Sequence, residues 1–96
     1  MTNYFITYDL HKRRVYDSLY QLLASWKAIR LTESDWLVTL NGTASVVRDV
    51  VLEHLDSDDT IAVIEIPEGA GWATVNVSPA ANAWLSANVL PSQKAA

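Results

Sequence analysis

The 96-residue chain contains no cysteine, which excludes a disulfide framework and any thiolate zinc site. A small secreted domain would normally depend on one or the other. Glycine is scarce, with three residues in all, and no glycine-rich phosphate loop occurs. There is no Ser–His–Asp order and no HExxH pair. The two histidines, His11 and His54, lie too far apart in sequence to suggest a metal pair. No apolar run approaches the roughly 20 residues of a membrane-spanning helix. The first residues lack the basic start and small-residue cleavage site of a secretory leader. The expectation is a cytoplasmic protein with no membrane partner.

Half of the residues are hydrophobic and 19% are charged, a globular composition. A chain this short buries only about 60–65% of its unfolded surface, enough for one domain. That domain is expected over 1–90, with a frayed tail at 91–96. The net charge of −4 is unevenly spread. Residues 1–48 hold six bases (Lys12, Arg13, Arg14, Lys27, Arg30 and Arg48) against four acids, a balance of +2. Residues 49–96 hold one base and seven acids, a balance of −6. Phosphate contacts would therefore come from the N-terminal half.

Hydrophobic periodicity divides the chain. Residues 3–9 (NYFITYD) are aromatic and β-branched and read as a strand. Val15, Leu19, Leu22, Leu23 and Trp26 then share one helical face, which predicts a helix of about 13 residues. Residues 28–31 and 36–40 predict an antiparallel hairpin, and Asn41-Gly42 a turn after it. Thr43 or Ser45 is suited to cap a second helix, whose apolar side carries Val46, Val47, Val50, Val51 and Leu55. The DSDD stretch at 56–59 ends that helix. It lacks the glycine and closing glutamate of an EF-hand and reads as a solvated turn. Residues 60–66 predict a strand and 72–77 a further short one. Pro79 opens a small helix that groups Ala80, Ala83, Trp84 and Ala87.

Strand, helix, strand, strand, helix, strand is the split βαβ order. It predicts an α+β, ferredoxin-like βαββαβ fold with an antiparallel sheet, plus the C-terminal strand and short helix. Helices would cover one sheet face. A homodimer packing sheet against sheet is the simplest cover for the other, with Tyr4, Ile6, Tyr8 and Trp72 as its expected interface residues.

The opening strand ending in Tyr8-Asp9-Leu10, followed by an arginine, spaced leucines, a tryptophan, a hairpin, a helix and DDTIAVIEI, resembles the small CRISPR-associated "Cas two" proteins and the VapD-like toxins across roughly residues 3–66. The resemblance implies a homodimer in which the two copies of Asp9 face each other and bind a divalent metal such as Mg²⁺. It also implies, for some members, endonuclease activity on RNA or DNA. Arg13 or Arg14 matches a basic position at the start of the first helix, and Arg30 one on the second strand. One aspartate is a poor site for an ion that wants six oxygens, but two from symmetry-related chains make a plausible one. His11 is suited to general acid–base work, and Lys12, Arg13 and Arg14 to gripping flanking phosphates.

Plainer readings stand beside these. An aspartate after a strand is commonly a turn-former or helix cap. HKRR at 11–14 is more often a solvated helix start than a phosphate grip, although positive charge there opposes the helix dipole. His54 suits the end of the second helix. The alternative function is a non-catalytic acidic module that binds a basic protein partner, acts as an inhibitor or scaffold, or mimics nucleic-acid charge.

Overall fold

Along the first strand Tyr4, Ile6 and Tyr8 alternate with Asn3, Phe5 and Thr7, so one face is aromatic and aliphatic and the other carries a single large apolar residue. The computed structural model describes residues 1–11 and 16–91. The expected helix start at Val15, the basic residues Lys12, Arg13 and Arg14, and the tail at 92–96 lie outside the described residues.

In chain order come β1 (Thr2–Asp9), α1 (Asp17–Ser25), β2 (Ile29–Thr32), β3 (Asp35–Leu40), α2 (Ala44–Leu52), β4 (Thr60–Ile66) and α3 (Pro79–Asn88). The four strands form one antiparallel sheet in the order β2-β3-β1-β4. This is the ferredoxin-like α+β arrangement.

The helix ends follow local chemistry. α1 closes on Lys27 in the left-handed region, at φ 58°. The amide of Lys27 donates to the carbonyl of Ala24 and that of Ala28 to Leu23. This two-bond cap usually recruits glycine. Gly42, at φ 107°, turns the chain from β3 into α2, and its carbonyl accepts the Tyr4 hydroxyl at 2.6 Å. The Thr43 hydroxyl then caps α2 by accepting the Val46 amide. Ser78 caps α3 in the same way through the Ala81 amide, with Pro79 in the first turn.

Tyr4, Ile6 and Tyr8 project beneath α1 and α2, where they meet Leu19, Leu23, Val38, Val47 and Val51. Their exposures are 1%, 0% and 5%. This corrects the interface expectation, because these three side chains form the principal core of their own chain. Turning them to a partner would forfeit about 1.5–3 kcal/mol of burial for each large apolar side chain.

The opposite face has a cover of its own. Leu37 packs there with Leu85 and Val89, flanked by Phe5, Leu31, Ile66 and Trp72. The neighbours Leu37 and Val38 are exposed by only 1% and 0%, although they point to opposite sides of β3. Both sides of that strand are therefore packed at its centre. Trp72 belongs to this second layer, and its indole N–H donates to the Leu90 carbonyl at 2.8 Å. It is an intrachain packing residue, which corrects its assignment to a partner surface. The uncovered face that called for a dimer is largely closed by α3, which packs on β2.

The further strand expected over 72–77 does not form, and that stretch runs irregularly. Asn76 sits at φ 64°, which interrupts an extended run, and Val75 is 80% exposed. Among the described residues no helix is long and apolar enough to cross a membrane.

Candidate metal centre

Antiparallel pairing puts the end of β1 beside the start of β4, with Asp9 opposite Thr60. The acidic turn at 56–59 therefore lies next to the Asp9–His11 segment, although almost 50 positions separate them in sequence. Asp59 ties the two together. Its Oδ1 accepts the His11 amide at 2.8 Å. Its Oδ2 accepts the Tyr16 hydroxyl at 2.9 Å and the Asp56 amide at 2.8 Å. Tyr16, 5% exposed, reaches this point from the residue that precedes α1.

These donors set the charge on Asp59. Desolvation pushes its pKa up. The amides of His11 and Asp56, the Tyr16 hydroxyl and the charge of His11 more than offset that, and the carboxyl is held below its ordinary value. Asp59 is therefore a fixed anion at neutral pH.

One carboxylate oxygen from each of Asp56, Asp58 and Asp59 lies within 4.8 Å of the other two, a group able to hold a metal ion. The donor set is hard oxygen. Trans ligands are about 4.2 Å apart across Mg²⁺ and about 4.8 Å across Ca²⁺. Three ligands of one ion include at most one trans pair, so the other oxygens must close to cis spacing when an ion binds. Asp59 has about four lone-pair sites, and three donors already occupy it, so it can give an ion one more. Asp58 is exposed and Asp56 half-buried. Such a site would be open and keep several waters on the ion.

Asp9 and His11 stand at the margin of this group. Their side chains approach to 3.8 Å, Nε2 to Oδ2, with exposures of 75% for Asp9 and 46% for His11. Asp9, expected as the metal ligand, is not one of the three clustered carboxylates. Its contact with His11 is longer than a hydrogen bond and leaves both side chains exposed.

Arg30, the remaining basic residue of the expected site, is elsewhere. It lies on β2 opposite Trp36, which in turn pairs with Ile6. That is roughly 10 Å along the strands and roughly 10 Å across them from Asp9. Its guanidinium stacks on Trp36, 4.6 Å from the ring centroid, and on Tyr20, 5.4 Å away. The Trp36 indole N–H donates to the Tyr8 hydroxyl at 2.9 Å. Burial raises the Tyr8 pKa against the lowering effect of Trp36 and Arg30, so the phenol stays neutral. Arg30 thus covers the aromatic edge of the principal core.

Concavities among the described residues lie elsewhere. One, of about 390 Å³, lies between Trp72 and α3, and another, of about 370 Å³, between α2 and β4. Neither includes the clustered aspartates. Compared with protein-family models, curated proteins and solved structures, the chain matches none.

Proposed function

We propose that the chain is a nuclease-like protein of the kind its Tyr8-Asp9-Leu10 resemblance implies, a cytoplasmic metal-dependent endonuclease acting on RNA or DNA. The observation that carries this reading is the convergence of Asp56, Asp58 and Asp59 beside the Asp9–His11 pair. In this reading the metal site is complete within one chain, and the two copies of Asp9 need not meet across a dimer.

Mg²⁺ or Mn²⁺ at the three aspartates would supply a water of lowered pKa and positive charge beside a phosphate oxygen. The residues of the chain do the rest. Asp58 and Asp56 offer ligand oxygens, and Asp59 anchors the turn that aims them. His11, beside Asp9, is the residue of this group suited to general acid–base work.

The test is cleavage of labelled single-stranded RNA and of duplex DNA in Mn²⁺, Mg²⁺ or EDTA. Cleavage is expected only with the metal. Asp58→Asn and Asp9→Asn should each lower it at least tenfold while leaving the circular dichroism unchanged, because both side chains are exposed. Metal-independent cleavage, or full activity in both variants, would rule this reading out.

A further inference from the structure

The two edges of the sheet are built differently. β2 is short, at four residues, and its pairing with β3 shifts between Arg30 and Thr32. It carries the stacked Arg30 and is packed by α3. These are the usual devices that keep a sheet edge from recruiting another strand. β4, the opposite edge, has none of them. It runs for seven residues, TIAVIEI, in unbroken register with β1. It contains no proline or glycine and a single charge, Glu65. Among the described residues no strand pairs with its outer side. Ile64 is 54% exposed on the second face, at a part of it that α3 does not cover, and on the helix side a groove of about 370 Å³ lies between α2 and Ile61–Ala62–Val63.

Among the described residues the charge around this edge is dominated by acids. Residues 49–68 hold seven acids (Asp49, Glu53, Asp56, Asp58, Asp59, Glu65 and Glu68) and no lysine or arginine. Asp58 and Asp59 stand just before β4, and Glu65 and Glu68 at its far end. Arg48, in the wall of the groove, is neutralised by Asp49 at 2.9 Å.

We propose that the β4 edge binds an extended, basic peptide segment of a protein partner by strand addition. The peptide backbone would satisfy the free amides and carbonyls of β4. Apolar side chains on one of its faces would enter the groove beside α2, and lysines or arginines would meet the acids at both ends. The same charges argue against a second copy of the chain as occupant. Antiparallel pairing of β4 with itself would set Asp58 and Asp59 against Glu65 and Glu68, and parallel pairing would align like residues; either way like charges face each other. This surface is independent of the metal reading, so it is tested in EDTA.

The probe is a capped seven-residue peptide alternating lysine and valine, followed by amide chemical shifts of the full chain and by calorimetry. Shift changes are expected along residues 60–66 and the adjoining face of α2, with an affinity that falls at least tenfold as salt rises from low to about 0.5 M. A peptide of equal charge with proline at the valine positions should bind at least tenfold more weakly, because it lacks the amides a strand needs. Ala62→Pro, on the edge itself, should weaken the first peptide equally, with α1 and α3 shifts showing the fold intact. Equal binding of both peptides would overturn the proposal, as would shifts centred elsewhere. Concentration-dependent shifts along β4 without peptide would assign the edge to a second copy instead. Metal-independent cleavage with peptide binding intact would sink the metal reading alone, and metal-dependent cleavage without peptide binding would sink only this one.

Discussion

Asp59 carries two demands at once. It closes the turn before β4 by accepting hydrogen bonds from His11, Tyr16 and Asp56, and it must remain an anion to do so. Its lowered pKa makes this visible as pH dependence. The stabilisation is fully present above the unfolded-state value, about 3.9 for aspartate, and is lost as pH falls through the lower folded value. Asp59→Asn is therefore expected to be less stable than the parent at pH 7, and the urea midpoints of the two should converge as pH falls below about 4. A gap that stays constant down to pH 2 would show that the charge contributes nothing. The sequence presents Asp59 only as one acid in an exposed run, because its partners are a backbone amide far away and a tyrosine ahead of the first helix. The antiparallel β1–β4 pairing was nevertheless deducible from the split βαβ order. That pairing alone carries the acidic turn to Asp9.

Elements of strong periodicity were legible. The first two helices, the hairpin and β4 all form where the apolar spacing puts them, but α1 and α2 are nine residues each, Leu55 lies beyond α2, and Val46 is exposed rather than inward. The segment 72–77 was not legible, because alternation alone does not supply a pairing partner, and Asn76 adopts a left-handed conformation there. α3 was legible as a helix but not as a sheet cover. Its buried set is small, Ala81 and Leu85, with Val89 at its end. It seals the second face beside the larger Leu37 and Trp72, which the sequence offers without saying which layer they join. Leu85→Ala is expected to cost about 2–3 kcal/mol, at the low end for a buried leucine because the layer is thin. Hydrogen exchange should quicken in α3 more than in α1 or α2. Uniform quickening would mean that the two layers unfold as one unit.

Across the whole molecule, the chain divides its chemistry between three places. The principal core is sealed by aromatic side chains and the stacked Arg30, the second face by α3, and the acids gather along the β4 edge and the turn before it. The sequence showed the asymmetry of charge but not its focus on one edge, since that depends on which strand is outermost. It also misassigned Tyr4, Ile6 and Tyr8 to a partner, because alternation identifies two faces without saying which of them the helices take. The central claim is that a single chain gathers a cation at Asp56, Asp58 and Asp59. The most direct measurement is a titration of the folded chain with Mg²⁺ and Ca²⁺, followed by amide chemical shifts. Saturable changes confined to residues 56–60 and 9–11, with a dissociation constant on the order of 10⁻³ M and absent in Asp58→Asn, are predicted. Shifts spread over every exposed acid without saturation, or no shifts at all, would contradict the claim.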